Sequence, residues 1–253
     1  MFKQKANVIY ILWLRQIKRY LRSKARMIGS MGQPLLFLVA LGFGMGPIFE
    51  KAGGGNYIQF LAPGVIAMSI IFTGVFSGIE VISDKQFGFL KETLAAPVSR
   101  LSIMVGRTLG GATVAAVQGL IVFFLSLIVG FRPNISWQFF LAILYMFLIA
   151  LFFTALGTAI GSALDDMHAF PLIINFVIMP LFFLSGALFP LDGLPRTINI
   201  IASANPLSYG VDGIRGALTG QLHFGLWTDF FALAVFVLLS LIIGGYMFSK
   251  IEL

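Results

Sequence analysis

The 253 residues are 58% hydrophobic and only 11% charged, a balance that a water-soluble domain of this length does not keep dispersed. The chain therefore reads as an integral membrane protein. Its net charge of +7 reads as topology and attraction to an anionic inner leaflet, not as a nucleic-acid footprint, and the absence of cysteine excludes a disulfide framework or a thiolate metal site.

The leader, residues 1–26, is two-sided from its middle onward. Tyr10, Trp13, Leu14, Ile17, Tyr20 and Leu21 recur at helical spacing, and Arg15, Lys18, Arg19, Arg22 and Arg26 take the opposite face. Such a helix lies in the inner interface. It is either a positive-inside topogenic leader or also an elbow that touches a cytosolic partner. The remaining residues, 27–253, form a membrane domain with charge-free stretches at 27–49, 52–79, 108–131, 133–164, 167–191 and 230–249, each long enough to cross about 30 Å of hydrocarbon. They are continuous rather than alternating, so six transmembrane helices are expected instead of a barrel. The first is too long, and too far behind its basic leader, for a cleavable signal peptide.

Thirteen of the seventeen Lys and Arg fall in the leader, the 85–107 loop and the C-terminus, on one side of such a topology. Both termini are thereby expected in the cytoplasm of a cell-membrane protein. Tyr57, Trp137 and Trp227 then sit at outer span ends as interfacial aromatics. Pro34 and the glycines around it predict a first span that is bent or loosely packed. Gly74 with Gly78, Gly106 with Gly110, and Gly157 with Gly161 are small-residue pairs that bring helices together, within the chain or across a dimer.

No phosphate loop, metal-ligand cluster or nucleophile set is present, so the chain is not expected to be an enzyme and carries no cofactor of its own. His168 and His223 read as plain interfacial residues. Ion-coupled carriers bury ionisable groups at mid-membrane, whereas here Glu80, Asp165 and Asp166 stand at span edges; the driving energy is expected from elsewhere. Residues 83–106 indicate where it arrives. Asp84, Lys85, Lys91, Glu92 and Arg100 surround Phe87, Phe89, Leu90 and Leu94, so a short helix here offers a partner a hydrophobic plug with flanking charges. Pro97 ends it, and Ser99 or Ser102 caps the next helix. The alternative is an amphipathic loop resting on the membrane.

The run DKQFGFLKETLAAPVSR, followed by GRTLGG, resembles the cytoplasmic loop of type-2 ATP-binding-cassette exporter permeases, in particular the daunorubicin-resistance-like branch. YIQFLAPGVIAMSI, FLSGALFPLDGLP and NPLSYGVDGIRG resemble the same family, in order, across nearly the whole chain. The resemblance implies a permease that pairs as a homodimer and is served by two copies of a separate ATPase, which binds the ATP and magnesium. It implies a coupling helix at residues 88–97 (Gly88, Phe89, Leu90, Lys91, Glu92, Thr93, Leu94 and Pro97, with Arg100 beyond), Glu92 being its polar contact. The leader, through Arg15, Lys18, Arg19 and Arg22, becomes the connecting helix, and the Asp165–Asp166 turn a smaller second contact.

Residues 192–228 are too apolar for an exposed loop and too broken to span, which predicts re-entrant or interfacial helices. In the resembling family this region, with Asn205, Pro206, Asp212 and Arg215, caps the exit route. Gln33, Phe72, Phe76, Asn175 and Phe176 are candidates for that route, because aromatic faces with a few amides suit amphiphiles; ordinary packing is the alternative. The expected function is the permease subunit of an ATP-driven exporter of an amphiphilic drug, lipid or glycan-like substrate. The other readings are a secondary carrier or channel, and a scaffold recruiting a cytosolic ATPase.

Overall fold

Backbone in hydrocarbon has to satisfy its polar groups within itself, and the described residues contain helices and no strands. The computed structural model describes residues 2–95, 98–134 and 136–250, with the side chains of residues 2–5, 26, 91, 94 and 95 outside that description. Helices α1 (Phe2–Arg22), α2 (Lys24–Lys51), α3 (Tyr57–Gln86), α4 (Phe89–Ala95), α5 (Arg100–Val129) and α6 (Gln138–Ala163) follow one another. Then come α7 (Ala169–Ile173), a π-helical segment (Ile174–Ile178), α8 (Met179–Phe183), α9 (Arg196–Ala204), α10 (Pro206–Thr219) and α11 (Leu226–Ser249).

Among the described residues, five helices are long and apolar enough to cross a membrane: Met27–Lys51 within α2, and α3, α5, α6 and α11. The expected fifth span, 167–191, contains a shorter apolar run, Ala169–Phe183. At 1.5 Å per residue its fifteen residues reach about 22 Å, and its wider π-helical middle shortens it further. Residues 184–191 are turns and bends rather than helix.

The core lies between α3, α5, α6 and α10, and the small-residue pairs explain how closely it packs. A methyl group at Gly78 would strike the Gly157 carbonyl, and one at Gly161 the Gly78 carbonyl, so α3 and α6 meet backbone to backbone. Gly106 and Gly110 face Ile9, Leu12, Trp13 and Gln16 of α1 in the same way. These pairs therefore pack within the chain.

Helix α1 accordingly docks along α5 by a stripe that includes Trp13, Gln16 and Tyr20. The Trp13 indole donates to Thr113 Oγ1 at 3.0 Å, and the Tyr20 hydroxyl donates to buried Gln118. Tyr10 and Leu21, expected on the apolar face, remain exposed because the docking stripe is rotated away from them. Ser23 interrupts the turn into α2. Helix α2 is loosely packed, as its prolines and glycines predict: Gly29, Gly32, Gly44 and Gly46 have open space where a side chain would start.

Tyr57 is corrected from interfacial anchor to core residue. Its hydroxyl donates to the Leu188 carbonyl at 2.8 Å and its ring lies against Phe49 and Phe60, whereas Trp137 and Trp227 are exposed.

Candidate functional site

Helix α3 stops where Phe87 donates its N–H to the Ser83 carbonyl at 2.9 Å, and Gly88 reverses the chain at φ +78°, in the left-handed region that glycine enters without steric cost. The short helix α4 follows. Leu90 is 1% exposed and packs with Val81, Ile103, Met104 and Phe248, which anchors α4 to the bundle. Phe87 and Phe89, at 72% and 51% exposed, point away from it. Glu92 is exposed, and the Thr93 hydroxyl donates to the Phe89 carbonyl at 3.0 Å. Pro97, and the side chains of Lys91 and Leu94, lie outside the described residues. Ser99 caps α5, its Oγ accepting from the Ser102 N–H at 3.2 Å.

Three of the charges expected to flank a partner are bonded within the chain. Arg100 Nη1 donates to the Ser249 carbonyl at 2.5 Å, tying the start of α5 to the end of α11. Lys85 Nζ bonds Asp165 Oδ1 at 2.6 Å and the Ser162 and Leu164 carbonyls at 3.1 and 3.0 Å. The loop after α6 is thereby tied to the end of α3, while Asp165 and Asp166 remain exposed. Asp84 is 5% exposed and accepts from Arg107 Nη2 at 2.6 Å.

Asp84 belongs to an ion cluster that spacing alone did not single out. Arg107 is itself 5% exposed and also donates to the Glu80 carbonyl at 3.4 Å. From α1, Arg15 stands 3.9 Å from Asp84, and Arg19 stands 3.7 Å from Glu80 and 3.8 Å from Asp84. The signal available in the sequence was two acidic residues four apart on α3, on one helix face. Removing the Arg107–Asp84 pair from water is costly, and either member alone would be more costly; the pair therefore holds α3 and α5 in one arrangement, with α1 seated over it.

A groove of about 810 Å³ runs beside the cluster, lined by Leu14, Lys18, Arg22, Phe87 and Phe89 among others. It joins the leader to the approach to α4. Sharing Arg19 and Ser83 with it is a cavity of about 540 Å³ between α1, α2 and α3, which Gln33, Phe72, Phe76, Thr73 and Glu80 help to line. Three of the five candidate route residues thus meet in one cavity. Asn175 and Phe176 lie elsewhere, exposed on the π-helical segment.

At the opposite end, α9 and α10 form the expected helical pair. Asn205 caps α10 by accepting from the Leu207 N–H at 3.0 Å, and its amide donates to the Leu181 carbonyl at 2.6 Å; Pro206 occupies the first turn, where its missing N–H costs nothing. Buried Arg215 donates to the Gly186 carbonyl at 2.9 Å and the Phe60 carbonyl at 3.2 Å, with its guanidinium 3.9 Å above the Phe60 ring. Asp212 accepts from the backbone N–H groups of His223 and Phe224 at 2.9 and 2.8 Å. His223 is thus more than an interfacial residue: its Nδ1 lies 2.7 Å from Asp192 Oδ1.

Residues 7–219 match the family model described as ABC-2 type transporter. The chain is 30% identical over 214 residues to nodulation protein J of Rhizobium leguminosarum bv. viciae, covering 80% of this chain and 80% of that protein. It is 28% identical over 230 residues to the inner membrane transport permease YadH of Escherichia coli (strain K12), covering 89% of this chain and 88% of that one. A bundle of apolar helices, with a family match over most of its length, closes the identification: the chain is a multi-pass membrane protein and belongs to the ABC-2 type transporter family.

Proposed function

We propose that the chain is the membrane subunit of an ATP-driven exporter, moving an amphiphilic drug, lipid or glycan-like substrate outward under the power of a separate ATPase that holds ATP and magnesium. The observation that carries this reading is α4. It is anchored by buried Leu90 and, with Phe87 at the end of α3, presents Phe89 and Glu92 to the exterior beside the leader groove. An exposed apolar tip on a firmly rooted helix suits the seat of a soluble partner.

In this reading the basic end and both termini are cytoplasmic, α4 is the coupling helix and α1 the connecting helix. The Asp165–Asp166 turn is a second contact. Two copies pair around a central route, and the open positions of Gly44 and Gly46 on α2, away from the cavity lining, support such pairing. Cargo enters the α1–α2–α3 cavity, which has aromatic walls and one amide, Gln33. Asn175 and Phe176 join the route only as the second copy completes it, and the α9–α10 pair caps the exit.

ATP-bound and ATP-free partners bind α4 with different strengths, and that difference moves the membrane equilibrium. Pull on α4 reaches α3, α5 and α11 directly through Leu90, and reaches α1 through the Asp84–Arg107 cluster. The test is Glu92→Arg in the purified permease–ATPase pair. Assembly and cargo-stimulated ATP turnover should both fall. Unchanged co-purification and turnover would remove α4 as the coupling contact.

A further inference from the structure

We infer that the cavity between α1, α2 and α3 takes an amphiphile with an anionic head, such as a phosphate or carboxylate, and that Arg19 is the counter-ion for that head. The inference rests on the proposal that this cavity admits cargo, and adds the charge class of that cargo.

Charge balance points the same way at each step. Asp84 is matched at 2.6 Å by Arg107, and both are buried. Arg19 is different. Its side chain is 42% exposed, and it reaches Glu80 and Asp84 only at 3.7 and 3.8 Å, beyond hydrogen-bond distance. Among the described residues its guanidinium makes ion pairs but no hydrogen bond closer than these, which leaves its fork of donors for a carboxylate or phosphate. The adjoining groove adds Arg15, Lys18 and Arg22. The cavity wall itself carries Arg19 and Glu80, and the adjoining groove sets three further cations beside Asp84, so cations outnumber carboxylates along the two. A cationic head would have to displace Arg19 from Glu80 and then sit among the remaining cations, so the local field selects against it.

Cavity shape supplies the rest of the ligand. Phe72, Phe76 and Ile79 give an apolar wall. From Phe72 to Glu80 along α3 is eight residues, about 12 Å, close to the roughly 15 Å depth of one leaflet's hydrocarbon. A body lying along this wall places its head at Arg19. The wall also carries a built polar feature: Thr73 Oγ1 is buried with no partner among the described residues, and Thr73 lines the cavity. An unpartnered buried hydroxyl is costly, and a ligand oxygen would relieve it.

The experiment uses the full-length chain in phosphatidylcholine nanodiscs and radiolabelled dodecyl phosphate. Binding should saturate, and unlabelled dodecyl phosphate should displace it, while dodecyltrimethylammonium and inorganic phosphate should not. Arg19→Gln should weaken binding about tenfold, the loss expected for one charge-assisted contact, and Arg19→Lys should retain most of it. Displacement by the trimethylammonium compound as effective as by dodecyl phosphate overturns the assignment, as does wild-type affinity in Arg19→Gln. Displacement by inorganic phosphate alone overturns the amphiphile part. If Arg19→Gln does not fold, head-group selectivity of the unaltered protein decides by itself.

Gly29→Phe fixes the location, since Gly29 lines the cavity and has open space at its Cβ position. It should abolish dodecyl phosphate binding, and survival of binding overturns the placement. Head groups that bind alike, together with export lost in Gly29→Phe, sink the anionic class and spare the cargo route. Anionic selectivity, together with export intact in Gly29→Phe, sinks the cargo route and spares the anionic site.

Discussion

Gly157→Val tests whether the small-residue pairs hold this chain together or hold two copies together. A Cβ at Gly157 lies 2.5 Å from the Val75 carbonyl oxygen and 2.8 Å from its Cα, where ordinary contact begins at 3.4 Å. Helices α3 and α6 would have to part by roughly 0.9 Å along that line, and the obstacle is backbone, which cannot swing aside as a side chain can. Overpacking of this kind costs about 1–3 kcal/mol, and the propensity gain of Val over Gly in a helix returns only a few tenths. At about 2–4 °C per kcal/mol for a chain of this size, the unfolding midpoint in detergent should drop by roughly 2–10 °C. Gly29→Val is the control, because nothing lies within 4 Å of its Cβ position; its midpoint should hold. If Gly157→Val keeps the wild-type midpoint but loses a dimer seen by cross-linking, the within-chain packing argument is wrong.

Two further expectations concern buried charge. Arg107→Met takes from Asp84 its buried, hydrogen-bonded cation and leaves it Arg15 and Arg19 at 3.9 and 3.8 Å; it should cost at most about 3–5 kcal/mol, whereas Arg107→Met with Asp84→Leu should recover much of that loss. A double-mutant cycle on unfolding midpoints reads the coupling, and additive losses would show that the pair does not act as a unit. Arg215→Leu leaves the Phe60 and Gly186 carbonyls without their shared donor. It should cost about 1–3 kcal/mol and open the α9–α10 region to limited proteolysis; an unchanged digestion pattern would show that Arg215 does not hold that end closed.

Much of the helical layout was legible because the membrane imposes it. Five of the six apolar stretches became helices able to span, and the one that did not is interrupted by a π-helical segment that no composition window detects. The α9–α10 pair was legible from Asn205 and Pro206, a cap residue and a first-turn proline that break the apolar run and open a new helix. The segment 83–106 was legible as a polar interruption, but its sidedness was not. Leu90 and Phe89 are neighbours of similar hydrophobicity, and only contact with Val81 and Phe248 turns one inward and leaves the other exposed.

Length, apolar content and the distribution of Lys and Arg by themselves determined that this is a helical membrane protein, since the cost of bare backbone in hydrocarbon leaves a continuous apolar run few other forms. Tertiary structure alone decided which charges are spent internally. Asp84 and Arg107 are 23 residues apart and bond at 2.6 Å, while Lys85, next to Asp84, reaches 80 residues along the chain to Asp165. Helical spacing encodes which residues share a face, but the partner that a face meets depends on how whole helices pack. Here that packing is set by glycines that let backbones touch.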